Sequence, residues 1–320
     1  MTDERVTQVF SLLADETRLA TILALAEASE PLSRGMWNPT GLDAVSFSEI
    51  RERVGAEDPG NFNYHLRKLE GVFIQQTSDG YELMPAGKRI VKAVISIAGL
   101  EETALPPTPI DLACPNCGAP TVVTHQRQRM YHLCTACDGN VAVSDEHPSG
   151  VFSGVMLDRT VLRNRSPEEI VLAQYAWKFF TFALALQGVC GMCSGRIEGS
   201  LDVCENHGAE TDGPCSSCGY SYEVTGQIVC SVCNHTMLWG IIPLSVFHPA
   251  GTAFCWAHGI ELTFDGDDLG TLEGVFNLYG NSALEIQSRD PPRVRVALRE
   301  AGDELHVTYE DGLDVVEVSP

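Results

Sequence analysis

The fold of the central part of this chain is decided by two cysteine motifs, Cys114-Pro115-Asn116-Cys117-Gly118 and Cys134-Thr135-Ala136-Cys137-Asp138-Gly139. Each Cys-x2-Cys turn directs two thiolates at one point, and two such turns at this separation are typical of a zinc ribbon. Gly118 favours the left-handed conformation that the first turn requires. Between the motifs, residues 121–124 and 130–133 predict the two strands of the ribbon's hairpin. The alternative is that the four thiols are buried without a metal.

A second stretch supplies eight further candidate ligands, seven thiols and one imidazole: Cys190, Cys193, Cys204, His207, Cys215, Cys218, Cys230 and Cys233. Eight donors is the number that two tetrahedral sites require. Pairing in sequence order gives a mixed site from the first four residues and a four-thiolate site from the last four. Interleaved pairing, as in cross-braced fingers, uses the same residues, and Cys204 with His207 can also be an ordinary loop pair. We therefore predict two four-thiolate zinc sites, with a third where the mixed set also binds.

Zinc is favoured over iron at these motifs. Four-thiolate knuckles also hold rubredoxin-type iron, but nothing near them suggests electron transfer. The motifs lack the vacant position and general base of a catalytic zinc, which indicates structural sites. Cys255 is left over; its pattern predicts a buried side chain, although Cys255 and His258 have ligand spacing. The chain has no phosphate loop, nucleophile elbow or paired-carboxylate motif, so we predict that it is not an enzyme.

The composition predicts a cytoplasmic protein adapted to high salt. The 320 residues contain 21 Lys or Arg and 43 Asp or Glu, for a net charge of −22, and only four of the cations are lysines. Such a surface is typical of halophilic proteins, because a short Debye length screens its self-repulsion. An acidic mesophilic protein is the alternative. The acidic, polar residues 1–5 predict no secretory signal, so the 12 cysteines are expected to bind metal rather than form disulfides.

The most apolar stretch, residues 170–190, predicts a buried or dimer-forming helix. Lys178 in its middle argues against a membrane span, so we expect no membrane association. Ser166 and Glu169 form a capping-box pattern with Pro167 at the first helical position, and the helix is expected to run to about Gln187. Its many aromatic residues predict a core-facing helix or, alternatively, a self-complementary dimer surface.

The N-terminal part predicts several helices followed by a β-hairpin. The first helix has apolar residues at helical spacing: Val6, Val9, Phe10 and Leu13. Asp15, Ser46 and Pro59 mark the starts of three more helices. Two β-like runs, 73–77 and 81–84, flank a turn at 78–80. The closing helix, 86–98, has more apolar positions than one stripe holds, including Ile90, Val91, Val94, Ile95 and Ile97, which suggests a second protomer as its packing partner.

This order of helices and hairpin is that of a winged helix-turn-helix domain. Four motifs carry a closer resemblance: Asp15-Glu16-Thr17-Arg18-Leu19, Phe47-Ser48-Glu49-Ile50, Asn63-Tyr64-His65-Leu66-Arg67-Lys68-Leu69 and Gly80-Tyr81-Glu82-Leu83. They resemble ArsR-type transcriptional regulators, most closely an archaeal branch, over about the first hundred residues. The resemblance implies binding to double-stranded DNA. Residues 29–45 are longer than the usual link, and the cysteine pair of metal-sensing members is replaced by residues 48–51, so arsenite-type sensing is not implied.

The polar face of the fourth helix supplies the candidate DNA contacts: Asn61, Asn63, Tyr64, Arg67 and Lys68. Asn can bond adenine and Arg can bond guanine in the major groove, whereas Tyr64 and Lys68 suit phosphates. The alternative is a merely solvated helix face. Residues 1–100 carry ten Lys or Arg and fourteen Asp or Glu, whereas residues 101–320 carry eleven Lys or Arg and twenty-nine Asp or Glu. The N-terminal part is therefore less acidic than the rest, as expected of a surface that faces a polyanion. The hairpin tip has no Arg or Lys, so we expect no minor-groove insertion there.

Together these patterns predict an α+β chain in six parts. They are a winged-helix DNA-binding domain (1–103), a Pro-rich linker (104–110), a zinc ribbon (111–147), a connecting or dimerisation helix (148–188), a double zinc cluster (189–238) and a C-terminal antiparallel β region (239–320) with strands at 260–264, 283–287, 293–298, 305–309 and 313–318. The predicted function is that of a dimeric, sequence-specific DNA-binding transcriptional regulator. Two classes stay open beside it: a zinc-ribbon scaffold for transcription-machinery partners, and a cysteine-based redox- or metal-responsive regulator.

Overall fold

The computed structural model describes residues 3–28, 44–97, 105–145, 147–208 and 213–320. These residues form a mixed α and β structure with antiparallel sheets, in agreement with the α+β prediction. The chain divides into two compact units, Met1–Leu100 and Glu101–Pro320. The predicted link at 29–45 lies outside the described residues except for Ala44 and Val45, and so does the predicted boundary at 103–104.

The first unit has the predicted order of helices and hairpin. Its elements are α1 (Asp3–Leu13), α2 (Glu16–Ala28), α3 (Phe47–Val54), α4 (Pro59–Leu69), β1 (Ile74–Gln76), β2 (Tyr81–Leu83) and α5 (Pro85–Ile97). The Ser46 hydroxyl accepts a hydrogen bond from the N–H of Glu49 and caps α3. The Asp58 carboxylate caps α4 by accepting from the N–H groups of Gly60 and Asn61. These short polar side chains satisfy N–H groups that a helix leaves unpaired at its start, which is why both helices begin there.

The hairpin is antiparallel and is extended by a third short segment. Gln76 lies opposite Tyr81 across the turn, and Val45 forms an isolated antiparallel bridge with Tyr81 from the other side. Gly80 has a φ of +148°, and a Cβ there would overlap the carbonyl group of Val45. The hairpin turn therefore requires glycine at this position.

The core of the first unit joins α2, α3 and α4 to the hairpin. Its fully buried side chains include Ile22, Leu25, Ile50, Phe62 and Leu66. The predicted apolar faces of the two outer helices are only partly used. On α1, Leu13 packs against this core, but Val9 and Phe10 are exposed, and the side chain of Val6 lies outside the described residues. On α5, Ile90 and Val91 pack inward while Ile95 is exposed, and the Ile97 side chain is also outside the described residues.

The second unit is built from three antiparallel sheets and four α-helices within the described residues. Its first sheet has the order β3 (Leu105–Ala113), β4 (Pro120–Gln126), β5 (Arg129–Cys134) and β6 (Val151–Met156). The second has β7 (Ile197–Val203), β8 (Val224–Cys230) and β9 (Thr236–Gly240). The third has β10 (Ala283–Arg289), β11 (Pro292–Glu300), β12 (Asp303–Glu310) and β13 (Val315–Ser319). The helices are α6 (Pro167–Ala185), α7 (Ile241–Phe247), α8 (Pro249–Ala257) and α9 (Gly270–Asn281).

Three predicted boundaries are wrong. The Pro-rich segment 104–110 is not a linker, because from Leu105 onward it is β3 at the edge of the first sheet, with a register irregularity between Leu105 and Thr108; edge strands and such irregularities are where a sheet tolerates proline. The predicted cuts at 147/148 and 238/239 fall inside the first sheet's sequence and inside β9. The region after 239 is not β throughout: α7, α8 and α9 precede the last sheet, and residues 260–264 are not a strand. The other four predicted strands are confirmed as β10 to β13.

The long helix α6 lies in the core of the second unit. Ser166 and Glu169 make the full predicted capping box, each bonding the other's backbone N–H. Ten of its residues are buried, among them Tyr175, Phe179 and Phe182, so most of its aromatic surface is used within the chain. Only Phe180 and Leu184 are large, apolar and exposed on α6. Among the described residues, every helix is too short or too polar to cross a membrane.

Candidate metal centres

The first cluster has the ligands predicted for it: Cys114, Cys117, Cys134 and Cys137. Their sulfur atoms all lie within 4.8 Å of one another. The Cys114–Cys137 and Cys117–Cys134 sulfur pairs are 3.7 and 3.6 Å apart. These separations suit thiolates that share one tetrahedral ion, whose bonds to sulfur are about 2.3 Å long.

The two turns of this cluster have the knuckle geometry that the motifs predict. The N–H groups of Asn116 and Cys117 donate to the Cys114 sulfur at 3.3 and 3.2 Å. The second turn repeats the pattern around Cys134. Gly118 has a φ of +73°, the left-handed conformation expected of it. The hairpin between the turns is β4–β5, closed by Arg127 and Gln128, so the ribbon prediction is confirmed in its geometry.

The remaining eight ligands do not pair in sequence order. One cluster consists of Cys190, Cys193, Cys230 and Cys233, and the other of Cys204, His207, Cys215 and Cys218. The predicted mixed site of residues 190, 193, 204 and 207 is therefore wrong, and so is the predicted four-thiolate site of residues 215, 218, 230 and 233. The interleaved alternative is wrong as well. The pairing is nested: the outer two motifs form one cluster, and the inner two form the other.

The β7–β8 hairpin explains the nested pairing. Ile197 lies opposite Cys230 at one end of the hairpin, and Val203 lies opposite Val224 at the other. The outer motifs flank the first end, which brings Cys193 and Cys230 together with their sulfur atoms 3.5 Å apart. The inner motifs flank the second end, roughly 20 Å away for strands of this length. One hairpin thus carries a cluster at each end.

The inner cluster is the one with an imidazole. His207 Nδ1 lies 3.6 Å from the Cys218 sulfur, so the histidine belongs to the ligand set rather than to an ordinary loop. The Cys215 sulfur is contacted by the N–H of Ser217 at 3.3 Å, the same knuckle arrangement as in the first cluster. Cys204 completes the set at the end of β7.

Each cluster contains a thiol whose pKa is lowered. Backbone N–H donors, from Gly208 for Cys215 and from Cys233 for Cys230, lower the pKa of both thiols to about 6. Burial raises the pKa of Cys134, but the N–H groups of its own turn outweigh this and bring it to about 7. The thiolate is the form that binds metal, and the backbone N–H groups stabilise it at these three sulfur atoms.

Cys255 is not a metal ligand in this arrangement. It is fully buried in the main core of the second unit, and burial raises its pKa to about 11. His258, despite its ligand spacing, bonds elsewhere: its Nδ1 lies 2.8 Å from the Phe254 carbonyl oxygen and its Nε2 lies 3.1 Å from the Asp303 carboxylate. The predicted buried side chain is confirmed.

The candidate DNA-contacting residues lie together on one side of α4. Asn61, Tyr64, Arg67 and Lys68 are exposed and Asn63 is half-buried, whereas Phe62, Leu66 and Leu69 on the opposite side are buried. The Lys68 ammonium lies 5.4 Å from the centre of the Tyr64 ring. His65, which the sequence leaves ambiguous, has its Nδ1 3.3 Å from the Asp15 carboxylate and is only 11 % exposed.

The region that contains the three clusters matches a model of a known protein family. The model described as Domain of unknown function (DUF7351) matches residues 111–315, which is more than half of the chain and includes all three clusters. The chain belongs to this family. A second model, Domain of unknown function (DUF7347), matches residues 6–94, from α1 to α5. No curated protein and no solved structure matches the chain.

Proposed function

We propose that this member of the DUF7351 family is a sequence-specific, DNA-binding transcriptional regulator whose three cysteine clusters hold structural zinc. The observation that carries the proposal is the two-sided character of α4. Its apolar side is buried in the core that the helices share with the hairpin, and its other side presents amide, phenol and cationic groups to solvent. This order of elements and this exposure support a winged helix-turn-helix in which α4 would be the recognition helix that enters a major groove.

The exposed groups of α4 suit both parts of DNA recognition. The amides of Asn61 and Asn63 can each make two hydrogen bonds to adenine, and the guanidinium of Arg67 can make two to guanine. Lys68 and Tyr64 are adjacent, which places a cation and a phenol hydroxyl where phosphate contacts fix the register of the helix. The acidic Asp58 at the start of α4 is engaged as the helix cap and does not extend along this face.

The hairpin is expected to contribute little to sequence readout. Residues 78–80 at its tip include Asp79 and no Arg or Lys. An acidic tip is repelled by phosphates, so we assign recognition to α4 rather than to the hairpin. We expect two copies of the chain to bind two half-sites, with the α4 helices of the two copies in successive major grooves. We expect this binding to take place in the cytoplasm.

Zinc fits the donor sets of the three clusters. Eleven thiols and one imidazole form them, and soft thiolates with tetrahedral separation favour zinc over oxygen-seeking metals. Each cluster uses four side-chain ligands, which leaves no open position for a reacting group, so we propose structural sites in a protein that is not an enzyme. When bound, zinc fixes the turns and the ends of the hairpins that carry them.

A binding experiment with matched variants tests the DNA proposal. Sites are selected from random double-stranded DNA with the full zinc-loaded chain, and affinity for the selected site is measured by fluorescence anisotropy. We expect Arg67→Ala to weaken binding about 5- to 150-fold, the effect of losing one bidentate base contact. Arg89→Ala, an exposed arginine on α5, should leave affinity unchanged.

Two outcomes would refute the proposal. One is that no sequence is enriched over random DNA. The other is that Arg67→Ala and Arg89→Ala have equal effects, because binding would then not involve the polar face of α4.

A second candidate function, a zinc-dependent protein-interaction scaffold, is favoured by one observation. Met192 and Val232 lie in the middle of the two turns of the outer cluster and are exposed by 46 and 69 %. Apolar side chains at an exposed metal knuckle suit contact with another protein. Pull-down with nuclease-treated lysate separates the two: partners lost from Met192→Ser/Val232→Ser but kept by Arg67→Ala would favour the scaffold.

A further inference from the structure

The second unit contains a cavity whose charge is opposite to that of the chain. Its volume is about 220 Å³, and it lies between β6, α6 and β9. The titratable residues that line it are Arg129, Lys178, His147 and His235, with tyrosines. Among the described residues, no Asp or Glu lines it. In a chain with twice as many acids as bases, a wall whose described residues include two cations and no carboxylate indicates a site for an anion.

Lys178 is the most constrained of these groups. Its side chain is only 7 % exposed, and its ammonium donates to the Ser153 hydroxyl at 3.0 Å and lies 3.4 Å from the centre of the Trp239 ring. It makes no ion pair with a carboxylate of the described residues. A buried ammonium without a counter-charge is costly, and burial accordingly lowers the pKa of Lys178 to about 7.

The neighbours of Lys178 leave one of its donors for a ligand. An ammonium has three N–H groups; the Ser153 hydroxyl takes one, and the Trp239 ring faces another. Ser153 also accepts from the Gln174 side-chain amide at 3.0 Å, so its hydroxyl is fixed in place. An anionic oxygen in the cavity would both accept the remaining N–H and neutralise the buried charge.

The other lining residues indicate the chemistry of the rest of the ligand. Trp177, Phe182 and Trp239 line the cavity and supply aromatic surface. Together with a volume of about 220 Å³, these walls suit a small molecule that has an apolar part. Aromatic walls also disfavour a bare, strongly hydrated ion such as phosphate.

We propose that this cavity binds a small organic carboxylate, with the carboxylate group on Lys178 and the apolar part of the molecule against the aromatic walls. The site lies outside the metal clusters and outside α4, and the proposal does not depend on DNA binding. A ligand held between the first sheet, α6 and the second sheet would fix these elements together, as an effector of the second unit.

The test uses benzoate as the probe and benzamide as its neutral counterpart of the same shape. Binding to the full zinc-loaded chain is measured by isothermal titration and by the fluorescence of the cavity tryptophans. We expect benzoate to bind at least tenfold more tightly than benzamide. Lys178→Met, which keeps the length of the side chain and removes its charge, should weaken benzoate at least tenfold, while Lys88→Met on α5 should have no effect.

A second variant protects the test against misfolding of Lys178→Met. Met237 also lines the cavity, and Met237→Trp would fill it while leaving Lys178 unchanged; it should abolish benzoate binding. The proposal is overturned if benzoate and benzamide bind equally, if Lys178→Met folds and retains the affinity for benzoate, or if inorganic phosphate binds more tightly than benzoate. Failure of benzoate, acetate and hexanoate to bind at all would overturn it too.

Discussion

The nested pairing of the ligands in residues 190–233 predicts how many metal ions each cysteine variant binds. Cys193 and Cys230 belong to the same cluster, with their sulfur atoms 3.5 Å apart. Replacing both by serine removes two ligands from one site and none from the others. The double variant Cys193→Ser/Cys230→Ser should therefore lose one zinc per chain and keep two. Under sequential or interleaved pairing, the same substitutions would damage two sites and leave only one ion.

The reciprocal double variant serves as the control. Cys193 and Cys204 lie in different clusters, at opposite ends of the β7–β8 hairpin. Cys193→Ser/Cys204→Ser should therefore lose two ions, although it also removes two thiols. Sequential pairing predicts the opposite result, a loss of one ion. The comparison of the two variants therefore distinguishes the pairings without reference to absolute affinity.

The assay is elemental analysis of purified chains after dialysis against a mild chelator. Dialysis matters because a site with two or three remaining ligands can still hold zinc weakly, whereas an intact structural site contributes about 10–16 kcal/mol. Each protein is compared with the parent chain, for which we expect three zinc ions. A result of one ion for Cys193→Ser/Cys230→Ser would refute the nested arrangement, and three iron ions in the parent chain would refute the zinc assignment.

Three further predictions follow from buried groups and strained turns. Burial lowers the pKa of Lys178 from 10.5 to about 7, so above pH 7 the unfolded chain binds more protons than the folded chain. The unfolding free energy of the parent chain, relative to that of Lys178→Met, should therefore rise between pH 7 and 9 by at most about 1.4 kcal/mol per pH unit. Denaturant unfolding curves that give a constant difference between the two proteins would contradict this prediction. Gly80→Ala forces a Cβ against the Val45 carbonyl group, so the first unit should lose about 1–3 kcal/mol of stability in denaturant unfolding; an unchanged midpoint would show that the turn can relax. Cys255 should resist iodoacetamide in the native, zinc-loaded chain and react after unfolding, since it is buried and its pKa is raised to about 11; rapid native labelling at Cys255, read by mass spectrometry, would be inconsistent with the core.

Features that depend on residues close in sequence were predicted well. The ribbon at Cys114–Cys137 needs only two tight turns and the hairpin between them, and all of these are local. The starts of α3 and α6 follow from the predicted caps at Ser46 and Ser166, and the start of α4 was predicted from Pro59, which the Asp58 cap precedes. In each case one short side chain satisfies the backbone N–H groups at the first turn, so the signal lies within four residues.

The pairing of the second set of cysteines could not be read in the same way. It depends on β7 and β8, which are separated in the sequence by the inner cluster itself. The apolar residues of β7, Ile197, Leu201 and Val203, are interrupted by Glu198 and Asp202, so the strand signal is weak. A predicted β7–β8 hairpin would have brought the two outer motifs together.

The role of the Pro-rich segment and the place of the buried lysine depend on tertiary contacts that the sequence does not show. Pro106 and Pro109 indicate a linker, but an edge strand tolerates them because one side of it has no partner. Lys178 argues correctly against a membrane span, yet its place in a cavity is set by Ser153 and Trp239, which come from two different sheets.

The most direct test of the central claim, that the polar face of α4 reads DNA, is genome-wide mapping of the chain in its own cells. We predict discrete sites that share one sequence motif, and we predict that Arg67→Ala loses them while Arg89→Ala retains them. Occupancy without a shared motif, or a map unchanged by Arg67→Ala, would contradict the account.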